Sequence, residues 1–216
     1  MRRLIASLAV LTALSAPALP AGAQETNAAP MTSPLPSLTP ADLDFKETER
    51  GLVLRLDGVI THDVADRFAA AIDGVPSDMP LLLELNSPGG FTKAGYAVID
   101  RILEERENGR AVSTYVRAGE SCESMCFGLF MAGFPRYAEA GAEFMVHAPR
   151  QLDTGTITVR ATGRMIERIR RLGASESWIE RVKAAGGFSG RQDYRERAEA
   201  LASDGSNVVT TLLSVP

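Results

Sequence analysis

The sequence predicts an α/β fold, and three observations carry that expectation. Short apolar or β-branched runs alternate with amphipathic runs at helical spacing between residues 51 and about 150. Glycine and proline punctuate the joins. The stretch from about 43 to 216 has the length of one domain with a core of its own. In order, "GLVLRLDGVI" (51–60) alternates and then turns apolar, as a first strand does. "THDVADRFAAAIDG" reads as a helix, with Thr61 as its cap and Phe68, Ala69 and Ile72 on one face. "PLLLELNS" (80–87) is a short apolar strand, broken by "PGG". "TKAGYAVIDRILEERENG" is an amphipathic helix ending near Gly109, and "AVSTYVR" (111–117) is a β-branched strand. "AGESCES" reads as a loop, "MCFGLFMAGF" as an apolar helix, and "FMVH" as another strand. Helices between successive strands imply parallel pairing with right-handed crossovers. The tail holds two helical runs, "TITVRATGRMIERIRRLG" and "SESWIERVKAAGG", and closes on a strand in "SNVVTTLL" (206–213). Arg160, Arg164, Arg168, Arg170 and Arg171 mark either a solvated helix face or a helix that packs on another subunit.

The first residues belong to a different regime. "MRRLIASLAVLTALSAPALPAGAQ" combines two arginines, an apolar run from Leu4 and an Ala21-Gly22-Ala23 cleavage pattern. It reads as a secretory signal peptide over residues 1–23. A retained anchor is the disfavoured alternative, because the apolar run is short for a span. Residues 24–42, rich in Pro, Ser, Thr and Ala, read as a flexible linker, and 43–216 as the folded domain. Together these place the protein outside the cytoplasm, in a periplasm or beyond the cell.

Charge narrows the partners. The whole chain carries 23 basic and 27 acidic residues, a net −4. The signal segment contains Arg2 and Arg3 and no acids, so its loss leaves −6. That balance argues against nucleic acid or an anionic membrane as main partner. His62 and His147 are the only histidines, and the spacing of Cys122 and Cys126 fits no usual zinc pattern, so no metal site is expected.

The chemistry concentrates in three places. "LELNSPGG" puts Gly89 and Gly90 at the carboxyl end of a strand, where open α/β sheets build their sites. Glycine permits close approach and positive φ, and an N–H aimed into that space can stabilise a developing oxyanion. The plain alternative is an ordinary strand-to-helix turn. Ser124 lies between a loop and an apolar helix, near the positive end of the helix dipole, with the Met125 amide beside it as a second donor. Its plain alternative is an N-cap hydroxyl. His147 ends the apolar strand "EFMVH", where it can meet a Ser at the start of the preceding helix.

At these residues the sequence resembles the proteolytic subunits of Clp proteases and, more broadly, the ClpP/crotonase superfamily. "LNSPGG", "ESMCFGLFMAG" and "RYAEAGAEFMVHAP" follow that family's order and spacing, and the resemblance covers roughly 51–205. It implies repeated ββα units with a projecting handle helix, which "ITVRATGRMIERIRRLGASESWIERV" matches. It further implies Ser124 as nucleophile, His147 as general base, and the amides of Gly90 and Met125 as oxyanion donors. Asp193 in "GRQDYRERAEAL" is the best match to the third triad member, although Arg195 and Glu196 depart from the family's usual residues after it. Asp204 is a distant fallback, and a surface carboxylate with no catalytic part is the alternative for Asp193. The implied reaction is peptide hydrolysis through an acyl-enzyme, with no metal or organic cofactor. The implied partners are peptide or unfolded protein substrates and further copies of the chain. No ATPase partner is expected for an exported protein.

Several alternatives stand beside that reading. Exported relatives resembling signal peptide peptidase A use a Ser–Lys pair, for which Lys93 and Lys183 are the candidates; "MVHAP" favours His147. His62 is expected at the surface without a role. Cys122 and Cys126 are either disulfide partners or two small buried thiols. A bond between them would lock the backbone around Ser124, or hold it misplaced until reduced. A catalytically silent peptide-binding or scaffold module and a crotonase-type acyl-CoA enzyme are the other functional classes.

Overall fold

The computed structural model describes residues 40–151 and 153–214. The expected signal peptide and most of the expected linker lie outside these residues. Alternating leucines build the main sheet. Leu52, Leu54 and Leu56 of β2 (Gly51–Asp57) and Leu81, Leu83 and Leu85 of β3 (Leu81–Asn86) all point into the core. β4 (Val112–Val116), β6 (Arg136–Glu139) and β9 (Thr211–Leu213) continue the sheet in parallel. β1 (Asp42–Thr48) closes the other edge, antiparallel to β2, giving the order β1-β2-β3-β4-β6-β9.

β1 departs from the expectation that the domain opens near 51. Its seven residues are mostly polar and exposed, so no buried face marked them as a strand. Ala41, assigned to the linker from sequence, is fully buried and its N–H donates to the Val59 carbonyl at 2.8 Å. Folded structure therefore begins slightly earlier than the linker reading placed it.

Three helices cover the sheet. α1 (Val64–Asp73) buries Val64, Phe68 and Ile72, and α2 (Thr92–Glu107) buries Val98, Ile99 and Ile102. Thr61 is not the α1 cap. The N-cap is Asp63, and the Thr61 hydroxyl instead donates to the Asp63 carboxylate at 2.6 Å. α3 (Met125–Ala132) is buried along its whole length, as a helix apolar all round must be. It stops short of the expected Phe134 because Gly133 turns to extended backbone ahead of Pro135.

A second, smaller sheet forms around the expected strand at "FMVH", and its first strand lies in the segment expected as a loop. β5 (Ser121–Glu123), β7 (Glu143–Val146) and β8 (Tyr194–Arg197) assemble in the order β5-β7-β8. β5 is pinned from both sides. Ser87 donates to the Ser121 carbonyl at 2.8 Å and accepts from the Glu123 N–H at 2.9 Å, while β7 pairs along the other edge. Three residues are too few to show a period, so tertiary pairing alone makes this strand. The expected terminal helices are α4 (Val159–Arg171) and α5 (Glu176–Ala184), capped by the hydroxyls of Thr158 and Ser175. A short α6 (Ala198–Ser203) follows β8. Among the described residues no helix is long and apolar enough to cross a membrane.

Candidate active site

The small sheet delivers the three triad candidates by register. β5 and β7 are parallel, with Glu123 opposite Met145. The next N–H along, that of Ser124, donates to the Met145 carbonyl at 2.8 Å. Ser124 and His147 thus follow the carboxyl ends of two adjacent parallel strands, at the same end of the sheet. β7 and β8 are antiparallel, with Val146 opposite Tyr194. One step further puts His147 opposite Asp193. Three residues far apart in sequence meet because one central strand pairs with both neighbours.

Distances agree with the register. His147 Nε2 and Ser124 Oγ are 2.6 Å apart, a hydrogen bond in which the hydroxyl can donate to a neutral ring. Asp193 Oδ1 stands 3.5 Å from His147 Nδ1. At that length it is an electrostatic neighbour rather than a hydrogen-bond acceptor, and the buried Nδ1 is otherwise without a partner among the described residues. The same Oδ1 lies 3.5 Å from Arg150 Nη2. Arg150 is a member of this constellation that the sequence reading did not single out; a lone arginine after "HAP" carries no pattern. Asp204 pairs with Arg181 instead. The two departures from family pattern after Asp193 have structural uses: Arg195 pairs with Glu123 at 2.6 Å, and Glu196 accepts from the Trp178 indole at 2.8 Å.

Burial pushes the His147 imidazole below the ordinary histidine range. Asp193 opposes that shift, Arg150 and Arg195 add to it, and Glu123 opposes it more weakly than Asp193 does. A ring kept neutral is the form that can take a proton from Ser124.

Ser124 occupies the N-cap position of α3, but its hydroxyl makes no capping bond and is engaged with His147. Its backbone is at φ 55° and ψ −116°, a sparsely populated region for a non-glycine residue. Such a conformation costs about 1–3 kcal/mol and persists only where the surroundings impose it. Gly89 is part of those surroundings. At φ +93° it presses against the Ser124 turn so closely that a Cβ there would lie 2.8 Å from the Glu123 carbonyl oxygen. Gly90 pairs with Ile60 through the Gly89 carbonyl and the Phe91 N–H, which turns the Gly90 N–H to the other side of the chain. The Met125 N–H, in the first turn of α3, has no intrahelical partner by position. Gly90 and Met125 both line the cleft that holds Ser124 and His147.

That cleft has a volume of about 340 Å³. Its apolar walls come from Tyr96 and Ile99 of α2, from Met165 and Ile169 of α4, and from Leu172 at the end of that helix. Lys93 and Lys183 do not line it; Lys183 pairs with Glu180 at 2.6 Å on the exposed side of α5. His62 is exposed, stacks on Phe91 with 4.2 Å between ring centroids, and does not line the cleft. Cys122 and Cys126 are both fully buried and joined by a disulfide with Cα atoms 5.1 Å apart, which selects the first of the two sequence alternatives.

Comparison with solved structures places this architecture in a known class. ClpP1 from Listeria monocytogenes, determined as a point mutant, superposes with a TM-score of 0.57 over 76% of this chain and 91% of that one. At 17% identity the likeness defines the fold, a mixed α/β fold of the ClpP type. A curated relative, the ATP-dependent Clp protease proteolytic subunit 2 of Bacillus licheniformis, is 25% identical over 108 residues. Those residues are 49% of this chain and 55% of the relative, so the chain spans about half the length of the curated relative it matches. The family model described as Clp protease matches residues 48–184. The chain belongs to the Clp protease family.

Proposed function

We propose that this protein is an exported serine peptidase that hydrolyses peptide bonds through an acyl-enzyme. The observation that carries the reading is the 2.6 Å contact between Ser124 Oγ and His147 Nε2 at one cleft. In the proposed cycle His147 takes the Ser124 proton as Oγ attacks the scissile carbonyl. The Gly90 and Met125 amides receive the oxyanion, where one donor is worth about 10²–10³ in rate. His147 returns the proton to the leaving amine, and water then repeats the sequence on the ester. Asp193 stabilises the imidazolium from the Nδ1 side. The apolar cleft walls favour a substrate side chain that is itself apolar, in a peptide or an unfolded segment. Export through residues 1–23, assembly with further copies, and action without an ATPase complete the proposal.

A second reading is favoured by one observation: Asp193 is shared between His147 and Arg150 at 3.5 Å and hydrogen-bonds to neither. On that reading the protein is a silent ClpP-like module that binds peptides or forms a scaffold. A fluorophosphonate probe on the full, oxidised chain separates the two. The peptidase reading expects one label per chain, abolished by Ser124→Ala. Absence of labelling in the folded wild type sinks it and leaves the silent module.

A further inference from the structure

We propose that the Cys122–Cys126 disulfide is a positioning device that holds the Ser124 hydroxyl on His147, so that the oxidised chain is the competent one. The proposal rests on the reading of Ser124 as nucleophile. The two cysteines lie two residues before and two residues after Ser124. Cys122 is in β5, and Cys126 is in the first turn of α3. The bond therefore ties the strand that delivers the serine to the helix that departs from it, across Ser124, whose backbone sits at φ 55°.

The chain needs such a tie for a chemical reason. An unfavourable backbone conformation relaxes unless neighbouring structure fixes it. At α4 and α5 the N-cap hydroxyl fixes the turn by accepting from Ala161 and Trp178 amides. At α3 the corresponding hydroxyl belongs to Ser124, is turned toward His147 and makes no capping bond to its own helix. Gly89 presses on the turn and the Met145 carbonyl accepts from the Ser124 N–H, but neither contact is covalent. A covalent link between positions 122 and 126 adds a tie across the turn without using the hydroxyl. The sign follows from the contacts present with the bond formed: Oγ is 2.6 Å from Nε2 in the disulfide-bonded chain. The bond holds the serine in place rather than out of place.

Reduction by a dithiol breaks the S–S bond. Two electrons and two protons pass to Cys122 and Cys126, which become thiols, while the reductant closes to its own disulfide. Freed from the link, the 122–126 segment can leave the unfavourable conformation, and the near-attack geometry is lost. Both sulfurs are fully buried, so exchange is slow without prolonged exposure to reductant.

The test compares three forms of the full chain: oxidised wild type, wild type reduced with dithiothreitol and later reoxidised, and Cys122→Ala/Cys126→Ala. Fluorophosphonate labelling is resolved into its final amplitude, its limiting rate and its half-saturation, with near-ultraviolet circular dichroism recording the fold. A clamp predicts an amplitude still near one label per chain, an unchanged half-saturation, and a limiting rate lowered about ten- to a hundredfold in the reduced and double-variant proteins. Reoxidation restores the wild-type rate. Rates within twofold of the oxidised protein overturn the proposal. So does an amplitude that falls in step with loss of the near-ultraviolet signal, because the bond would then hold the domain rather than the nucleophile. Failure of the oxidised wild type to label removes the nucleophile, and the peptidase reading and the clamp with it; a wild type that labels beside an equally fast double variant removes only the clamp.

Discussion

His147 must be neutral to act as a base, and its surroundings set the pH at which it is. Burial lowers its pKa, so the ring stays unprotonated below the ordinary histidine value of about 6.5. The sign is direct: protonation removes the base, so the labelling rate of Ser124 should fall on the acid side with a midpoint below that value. Arg150 contributes to the lowering from 3.5 Å beyond Asp193 Oδ1. Arg150→Ala should therefore move the acid midpoint upward, with Arg150→Lys between the two, as read from a pH profile of labelling. Asp193→Asn should move the midpoint downward, since Asp193 raises the His147 pKa, and should lower the rate. A midpoint that ignores all three substitutions would detach Asp193 and Arg150 from the site. Ser124 and His147 were legible in the sequence because each sits at a strand or helix boundary beside a recognisable motif. Arg150 was not legible, because its placement depends on a chain turn with no composition signal.

At the scale of elements, the small sheet and α3 carry the site, and they differ in how readable they were. α3 is eight buried residues in a row, an unmistakable helix or strand core from composition alone. β5 and β8 have three and four residues, largely polar, and exist because β7 pairs with each. No local preference announces such strands, so the position of Asp193 opposite His147 had to be inferred by likeness rather than by pattern. Phe127 of α3 stacks on Trp178 of α5 with centroids 5.4 Å apart, tying the nucleophile helix to the helix ahead of β8. Phe127→Ala should cost about 3–5 kcal/mol of stability, measured by denaturant unfolding, from lost burial and the cavity left behind. Gly89→Ala meets both a positive φ and the Glu123 carbonyl oxygen at 2.8 Å. It should abolish labelling while costing about 1–3 kcal/mol in stability, a ratio that distinguishes a site defect from general unfolding.

Across the molecule, the parallel core from β2 to β9 follows the alternation seen in the sequence, and the antiparallel edges β1 and β8 are what the alternation missed. Of the tail arginines, Arg168 pairs with Asp100 and lies over the Tyr96 ring, while Arg170 and Arg171 pair with Glu167. Arg160 and Arg164 have no ion pair among the described residues, and Val159 beside them is 92% exposed. If α4 packs on a second copy, as proposed, Val159→Asp with Arg164→Glu should lower the mass seen by light scattering toward that of one chain. An unchanged mass would return these arginines to the role of a solvated face. β7 has only four residues, yet it fixes both the serine–imidazole and the imidazole–carboxylate separations. Adding or deleting a single residue there would throw both spacings out of step together. Descendants of this chain can vary widely in loops and helices, but this short ruler can change only by substitution, never in length.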